Sequence, residues 1–309
     1  MKIIETDIVV IGAGPVGLFT VFEAGLLGLN CHLIDNLDKV GGQCIELYPE
    51  KPIYDIPGVA SQTGKEHIDA LLEQIKPFDY EVHLNQRVNE ISKIEDSWKL
   101  ITSEGQEFKT KNIFIAAGAG SFEPRKPPVM NPDKFLGNGA NYSVRDKSIY
   151  KDKEIAIFGG GDSALDWSVE LANIAKKIYL IHRRDEFRGA QHTEKKMRSL
   201  VAEGKIILKV PYVIKDINGE ESFTGVDLMH FESKEVESIN CDEALFFFGL
   251  NKQLGPILDW EVELEEKKIS VNTENFQTNK EGIFAVGDIN TYPGKLDLIL
   301  CGFHETTLA

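Results

Sequence analysis

The segment from Asp7 to Gly17, DIVVIGAGPVG, constrains the fold more than any other part of the chain. Its apolar run, residues 8–11, is typical of a strand that is buried on both faces of a parallel sheet. Gly12, Gly14 and Gly17 follow this run at G-x-G-x-x-G spacing. The first glycine permits a tight turn, the second lets a pyrophosphate approach the backbone, and the third lets the next helix pack closely. The segment therefore predicts a dinucleotide site with the phosphates at a helix N-terminus.

An acidic residue after the next predicted strand supports this interpretation. Asp35 ends the apolar run Cys31–Ile34, at the position where an acid binds a ribose hydroxyl about 20 residues after the glycines. A glycine triplet alone is also typical of a tight strand–helix turn in other α/β proteins. The strand before the triplet and the acid after the second strand favour the dinucleotide site.

The same pattern recurs in the second half of the chain. A buried strand is predicted over Glu154–Phe158, and a helix over Ser163–Ala175. Gly159, Gly161 and Ala164 lie between and within them at G-x-G-x-x-A spacing. This second fingerprint predicts a second dinucleotide site.

Arginines take the place of the acid in the second fingerprint. The strand predicted at Ile178–Ile181 is followed by Arg183, Arg184 and Arg188. Guanidinium groups at this position suit the 2′-phosphate of NADP. A solvated basic turn is the alternative, and the location after the second strand of a dinucleotide fold favours NADP.

Two fingerprints in one chain indicate two nucleotide-binding domains. Their first glycines, Gly12 and Gly159, lie 147 positions apart. The simplest explanation is that one site holds a flavin permanently and the other takes up a nicotinamide. The acid-ended site suits FAD and the arginine-ended site suits NADPH. We therefore predict an α/β protein with two Rossmann-like, three-layer domains: an FAD-binding domain of residues 1–118 and 249–309, and an NADP-binding domain of residues 119–248.

Composition narrows the classes of protein. The net charge of −15 argues against a nucleic-acid-binding protein, which needs a basic face. No apolar run approaches the roughly 18 residues of a membrane span, and no signal peptide is evident. The four cysteines, at positions 31, 44, 241 and 301, show no disulfide or metal spacing. We expect a cytoplasmic protein with no metal site and no contact with membranes or nucleic acid.

Other elements complete the prediction. A helix is expected over Gly64–Ile75, and a β-hairpin around Glu104. The run Asn112–Gly118 is interpreted as a further buried strand that is separate from the hairpin. A last helix is expected to begin near His304. Because the chain stops at Ala309, only a few residues later, we expect a truncated or incompletely ordered chain.

The whole chain resembles the two-dinucleotide-binding flavoproteins of the thioredoxin reductase type. The motifs that match occur in the order of that family: Gly12–Pro15, Gly118, Gly159–Ala164, His182–Arg184 and Gly287-Asp288. The resemblance implies a thioredoxin-reductase-like fold and a homodimer.

The cysteine pairs of that family are missing. Thioredoxin reductases carry C-x-x-C in the segment that corresponds to 161–166, where this chain has no cysteine. Lipoamide-dehydrogenase-like enzymes carry C-x₄-C after Gly-Gly, but here Cys44 is followed by Pro49 at the second position. A dithiol relay needs two sulfurs, so Cys44 is interpreted as a packed thiol.

The chain is most similar to the ferredoxin–NADP reductases of the thioredoxin-reductase-like type, which share the segments Leu47–Lys51 and Gly302–Glu305. This resemblance implies that Tyr48 stacks on the isoalloxazine and that no side chain acts as acid or base. Further contacts with FAD are implied for Asp35, Gln43, Val88, Phe122 and Asp288, and for the helix from His304, whose N-terminus would point at the flavin carbonyls.

The resemblance implies hydride transfer from NADPH to FAD and release of single electrons to ferredoxin or flavodoxin. An acidic ferredoxin requires a local basic face, and residues 183–198 are the densest candidate. Val16 replaces a small polar residue of the family, so we expect one phosphate hydrogen bond to be lost. Two alternatives stay open: a cysteine-free NAD(P)H oxidase or diaphorase, and a non-enzymatic redox sensor that binds FAD and NADPH.

Overall fold

The structure is a computed structural model that describes residues 3–309, apart from the side chains of residues 121–123 and 252. The chain divides into two compact units. The first unit comprises Met1–Phe122 and Lys252–Ala309, and the second comprises Glu123–Asn251. The first unit is organised around a mixed sheet, and the second around a parallel sheet.

Over the described residues, the helices are α1 (Pro15–Leu26), α2 (Gln43–Glu46), α3 (Gly64–Ile75), α4 (Asp162–Leu171), α5 (Gln191–Ala202) and α6 (Ile299–Leu308). The strands are β1 (Ile4–Ile11), β2 (Cys31–Ile34), β3 (Pro52–Ile53), β4 (Gln62–Thr63), β5 (Tyr80–His83), β6 (Val88–Ile94), β7 (Ser97–Thr102), β8 (Glu107–Ile115), β9 (Ser121–Pro124), β10 (Ala140–Asn141), β11 (Glu154–Phe158), β12 (Lys177–Ile181), β13 (Ile206–Lys209), β14 (Tyr212–Asn218), β15 (Gly225–His230), β16 (Val236–Asn240), β17 (Glu243–Phe246), β18 (Leu250–Gln253), β19 (Leu264–Glu265), β20 (Lys268–Ser270), β21 (Ile283–Ala285) and β22 (Asn290–Thr291). Short 3-10 helices lie at Lys147–Tyr150, Gly255–Asp259 and Gly287–Ile289.

The sheet of the first unit has the order β5-β2-β1-β8-β7-β6, and β21 also pairs with β8. The strands β5, β2, β1, β8 and β21 are parallel, whereas β8, β7 and β6 form an antiparallel meander. The hairpin predicted around Glu104 is confirmed. The prediction of a separate strand at Asn112–Gly118 is wrong, because β8 continues unbroken to Ile115. The parallel partner β1 supports β8 from the Ile4–Phe108 pair to the Ile11–Ile115 pair.

The core of the first unit lies on both faces of its sheet. Val9 and Val10 are fully buried on opposite faces, as the continuous apolar run of β1 predicts. Helices α1, α3 and α6 pack together over one face. The predicted helix Gly64–Ile75 is confirmed; it begins with a capping box in which Thr63 and Glu66 satisfy each other's backbone N–H groups.

The second unit has a parallel sheet of order β10-β17-β11-β12-β13 and a smaller antiparallel sheet of order β14-β15-β16. Strand β11 and the helix after it are confirmed, although α4 ends at Leu171, four residues before the predicted end. Strands β9 and β18, where the chain passes between units, form a two-stranded sheet. Among the described residues, no helix combines the length and apolarity that a bilayer crossing requires.

Candidate cofactor-binding sites

A cavity of about 450 Å³ opens in the first unit at the carboxyl ends of β1, β2 and β8. Parallel strands bring their following loops to one edge of a sheet, so this edge is where a nucleotide is expected. Most of the residues predicted to bind FAD line the cavity. They are Gly12, Gly14, Asp35, Gln43, Tyr48, Val88 and Asp288.

Of the other three predicted residues, two do not line the cavity. Gly17 does not line the cavity. A Cβ atom at this position would be 1.9 Å from the carbonyl oxygen of Gly12, so the glycine lets α1 pack against the turn. The side chain of Phe122 lies outside the described residues. His304 is exposed on α6 and does not line the cavity.

The predicted start of the last helix near His304 is wrong. Helix α6 begins at Ile299, which itself lines the cavity, and its N-cap Leu298 makes no side-chain capping bond. Gly302 lies inside α6. A side chain would not fit at this position, because a Cβ atom there would be 2.4 Å from the Val16 side chain. The glycine is therefore a contact point between α6 and α1, and the helix dipole reaches the cavity through residues 298–300.

The conformation of Gly14 fits a bound pyrophosphate. Its φ of −75° is accessible to any residue, and a Cβ atom at this position would meet no protein atom within 4 Å. Neither the backbone nor the packing of the protein therefore requires a glycine here. Helix α1, which Gly14 caps, has no side-chain capping bond, so its first N–H groups suit phosphate oxygens.

Asp35 joins the end of β2 to the glycine turn. Its two carboxylate oxygens accept hydrogen bonds from the backbone N–H groups of Ala13 (2.6 Å) and Leu37 (2.9 Å). Burial is the main influence on this carboxyl and raises its pKa, while the backbone N–H groups oppose that shift. Each carboxylate oxygen has two lone pairs, so Asp35 keeps the capacity to accept a ribose hydroxyl.

Tyr48 lines the cavity, and both its hydroxyl and its ring contact other side chains. The hydroxyl is hydrogen-bonded to the Cys44 thiol, and the ammonium of Lys51 lies 5.7 Å from the ring centroid. Burial raises the pKa of Tyr48 well above its usual value, so the phenol stays protonated. The ring is held as a fixed aromatic surface, which is what stacking on an isoalloxazine requires.

A buried polar network supports the Gly287-Asp288 turn. The carboxylate of Glu305, on α6, is fully buried and accepts hydrogen bonds from the Gly287 N–H (2.7 Å) and the Asn290 amide (2.8 Å). It also accepts from the Tyr292 hydroxyl (2.9 Å) and forms an ion pair with Lys295. Glu305 thus ties α6 to the turn that carries Asp288.

Several cavity residues were missed by sequence reasoning. Gln86 and Arg87 precede β6, and the backbone N–H of Gln86 donates to the Asp35 carbonyl (3.0 Å). Their position after β5, a parallel strand of the same sheet, was the available signal. Residues 253–257 and Trp260 also line the cavity, but they follow the second unit in the chain and carry no local motif.

The glycine turn of the second unit repeats the geometry of the first. Gly161 has a φ of −102°, and a Cβ atom there would meet nothing within 4 Å. It caps α4 without a side-chain capping bond. Gly159, with a φ of +146°, would place a Cβ atom 2.9 Å from the Cβ of Ala164. The small residues therefore leave room for a second pyrophosphate at the start of α4.

The predicted phosphate-binding arginines are available to a ligand. Arg183, Arg184 and Arg188 are exposed, and with the rest of the described chain none of them forms an ion pair. Arg198, in contrast, pairs with Glu194 (2.9 Å) and Asp185 (3.1 Å). Part of the basic stretch 183–198 is thus neutralised within the protein.

The arginine loop is attached to the glycine turn. The Arg188 N–H donates to the Gly160 carbonyl (2.7 Å), and the Ala190 N–H donates to the Asp162 carboxylate (2.9 Å). The His182 ring lies against Gly160, since a Cβ atom there would be 2.3 Å from its Nε2. Burial, followed by the charge of Arg183, lowers the pKa of His182, so the imidazole is neutral near pH 7. The arginines therefore supply the positive charge of this loop.

Comparison with known proteins agrees with this geometry. A family model for pyridine nucleotide-disulphide oxidoreductases matches residues 6–303. A Pelagibacter ubique protein named ferredoxin–NADP reductase is 51% identical over 306 residues, covering 99% of this chain and 90% of that protein. A Bradyrhizobium protein of the same name is 52% identical over 308 residues, covering 99% and 89%.

Solved structures support the predicted fold. Thioredoxin reductase from Lactococcus lactis superposes with a TM-score of 0.84 at 25% identity, covering 98% of this chain and 96% of that one. Thioredoxin reductase from T. acidophilum gives a TM-score of 0.85 at 20% identity, covering 98% and 95%. The prediction of a thioredoxin-reductase-like α/β protein with Rossmann-type domains is confirmed. The chain belongs to the pyridine nucleotide-disulphide oxidoreductase family, and its sequence places it with the ferredoxin–NADP reductases of that family.

Proposed function

We propose that this protein is a ferredoxin–NADP(+) reductase, a flavoprotein that transfers electrons between NADPH and ferredoxin or flavodoxin. The observation that carries the proposal is the pair of glycine turns, one beside a buried carboxylate and the other beside three arginines that form no ion pair with the described residues. Both turns leave space that no protein atom fills. Relatives at about 50% identity over nearly the whole chain bear the ferredoxin–NADP reductase name.

In the first unit, we assign the binding of FAD to residues of the cavity. The turn at Gly14 and the start of α1 would hold the pyrophosphate, and Asp35 the ribose. Gln43, Tyr48 and Asp288 would contact the flavin and its ribityl chain. FAD, when bound, supplies the ability to take up a hydride and to give electrons singly.

In this proposal, the protein's own side chains position and stabilise the flavin and do not react with it. Tyr48 keeps its proton, so it donates to Cys44 and offers its ring without acting as an acid or base. The uncapped start of α6 presents N–H groups and a positive dipole end to the cavity, where negative charge on the flavin would be stabilised. We therefore assign no general acid or base.

In the second unit, we assign NADPH to the turn that contains Gly159, Gly161 and Ala164. Arg183, Arg184 and Arg188 would hold the 2′-phosphate through charge-assisted hydrogen bonds. The FAD-binding domain is proposed to be residues 1–118 with 249–309, and the NADP-binding domain residues 119–248.

A homodimer in the cytoplasm completes the proposal. The dimer is supported by the resemblance to the thioredoxin reductase type. The cytoplasm is supported by the four cysteines, which are all free thiols in the structure.

Cysteine chemistry is expected to be dispensable. Burial raises the pKa of Cys44 to about 11 and the pKa values of Cys31 and Cys241 to about 12, so the reactive thiolate is scarce at pH 7. Treatment of the NADPH-reduced protein with iodoacetamide should leave NADPH-dependent ferredoxin reduction unchanged. Mass spectrometry on the same samples gives the alkylated positions, with the half-exposed Cys301 as the internal control for reaction. Alkylation of two cysteines in the NADPH-reduced sample that are not alkylated in the oxidised one, with activity lost in step, would contradict a dithiol-free mechanism.

Stopped-flow spectroscopy with different electron acceptors tests the function. We expect NADPH to bleach the flavin absorbance, and the reduced protein to react faster with ferredoxin or flavodoxin than with dioxygen. The rate with ferredoxin should fall as NaCl concentration rises, because an acidic partner needs the basic groups of this otherwise acidic protein.

The same experiment separates the alternatives. Rapid NADPH oxidation in air that ferredoxin does not accelerate would favour an oxidase or diaphorase. Flavin reduction without turnover on any one-electron acceptor would favour a redox sensor.

A further inference from the structure

We propose that His32, Glu81 and His83 form a binding site for one divalent transition-metal ion of the class that includes zinc, copper and nickel. The site lies in the first unit on β2 and the edge strand β5. None of the three residues lines the cofactor cavity. The described residues contain no other group of three or more histidine, cysteine or acidic side chains that could hold a metal.

The register of two parallel strands creates this cluster. His32 on β2 pairs with Glu81 on β5, and Ile34 pairs with His83. Side chains two positions apart on a strand point to the same face, so Glu81 and His83 both extend towards His32. Sequence spacing gives no sign of this, because 49 positions separate His32 from Glu81.

The three ligand atoms lie close enough together to bind one ion. His32 Nδ1 and His83 Nε2 are 2.9 Å apart, and Glu81 Oε2 lies 3.9 Å from each of them. A triangle with these sides has a point about 2.1 Å from all three corners, which matches zinc–nitrogen and zinc–oxygen bond lengths. Because the two ring nitrogens point at each other, an ion at this point lies to one side of both lone pairs, and the imidazoles must turn towards Glu81 to bind it.

The two imidazoles are held in place by packing. The two rings are nearly coplanar, with planes at 17° and centroids 5.2 Å apart, so they meet edge to edge through His32 Nδ1 and His83 Nε2. The edge of the fully buried Phe108 ring contacts both. Only 13% and 15% of the His32 and His83 side chains are exposed, whereas 69% of Glu81 is exposed. Two of the three side chains are therefore held by the protein interior, and the exposed Glu81 places the site at the surface, where water can supply a fourth ligand.

The protonation states also suit a metal. Burial is the largest influence on both histidines and lowers their pKa values, against the opposing charge of Glu81. Neutral imidazoles are the form that binds metals. With His32 bound through Nδ1 and His83 through Nε2, each neutral ring carries its proton on the other nitrogen. The ring that donates the hydrogen bond between the two must therefore move its proton to its other nitrogen when the metal binds.

Two nitrogen donors and one carboxylate select the class of metal. Imidazole favours zinc, copper and nickel over magnesium and calcium, which prefer oxygen ligands. The site also connects to the cofactor-binding strand, because the Asp35 N–H donates to the His83 carbonyl (2.9 Å). A bound ion would fasten β2 to β5 next to the residue assigned to the FAD ribose.

The site is tested by titration of the untagged, flavin-loaded protein with ZnCl₂. The protein is first treated with a chelator to remove bound metal, and the chelator is then removed. Isothermal titration calorimetry should give one Zn²⁺ per chain, and the ion should raise the melting temperature. One equivalent of CuCl₂ should give an electron paramagnetic resonance signal with splitting from two imidazole nitrogens, since Cu²⁺ binds such donors most tightly. These readouts do not depend on electron transfer, so they are independent of the proposed function.

Variants with a matched control complete the test. His83→Gln should abolish stoichiometric binding, and Glu81→Gln should weaken it by at least the ~10–100-fold that loss of an outer partner of a metal ligand costs. Glu81 is mostly exposed, so its variant decides the matter if His83→Gln fails to fold. His192→Gln removes an exposed histidine of α5 and should leave binding unchanged. Absence of one-equivalent binding in the natural protein, or unchanged binding in Glu81→Gln, would overturn the proposal.

Discussion

Replacement of both Arg183 and Arg184 by alanine is expected to raise the KM for NADPH by roughly 100-fold, because two charge-assisted hydrogen bonds at the lower end of ~1.5–3 kcal/mol are lost. The KM for NADH should stay nearly unchanged, since NADH lacks the 2′-phosphate. Both guanidinium groups are exposed and unpaired within the described chain, so their removal breaks no internal ion pair. Steady-state kinetics with the two nucleotides and one acceptor measures the change.

A control variant separates a local contact from overall charge. Lys195→Ala with Lys196→Ala removes the same two positive charges from exposed positions of the adjacent α5. We expect it to change the KM for NADPH far less than the arginine variant does. Equal losses for NADPH and NADH in the arginine variant would refute the assignment of the 2′-phosphate to this loop.

The strand, turn and helix elements around both glycine turns were predictable because their signals are local. Gly12 and Gly14 follow a strand directly, and the arginines follow the second strand of their fingerprint, so short sequence windows carry the information. The helix Gly64–Ile75 was also predictable, since its cap and apolar periodicity lie within the segment. The formation of these elements depends mainly on residues that are close together in the sequence.

The features that were not predicted depend on contacts between distant segments. Strand β8 continues through residues 110–112 because β1 pairs with it on both sides of Lys111, at Thr110 and at Asn112. Position 302 within α6 is a glycine because Val16 of α1 lies against it. No pattern in the sequence around residue 302 indicates this contact. The expectation that Val16 costs a phosphate hydrogen bond is untested, but the structure gives this side chain a packing role between the two helices. The pairing of His32 with Glu81 likewise depends on a strand register that the sequence does not state.

Glu305 shows how such a distant contact supports the FAD site. Its carboxylate accepts only, and all four groups around it are donors: Gly287 N–H, Asn290 Nδ2, Tyr292 Oη and Lys295 Nζ. An amide at this position would turn its NH₂ group towards two of these donors. It would also leave Lys295, whose side chain is 5% exposed, without its counter-charge. Both effects act against the folded state.

We expect Glu305→Gln to lower the free energy of unfolding by ~3–5 kcal/mol, as for other buried ion pairs that lose one partner. Because Gly287 and α6 border the cavity, the variant should also release FAD more readily. Urea unfolding followed by circular dichroism, with flavin fluorescence for release, measures both effects. Glu281→Gln, an 87% exposed glutamate near Lys93, should change stability by less than ~0.5 kcal/mol.

A second substitution distinguishes the unpaired charge from lost packing. Lys295→Met in the Glu305→Gln background removes the buried ammonium, so it should recover part of the lost stability. Full recovery is not expected, since Gly287 N–H and the Asn290 amide still lack a carboxylate acceptor. If Glu305→Gln unfolds at the same urea concentration as the natural protein, the carboxylate does not hold the turn. If Lys295→Met makes the variant still less stable, the cost of Glu305→Gln does not come from an uncompensated charge at Lys295.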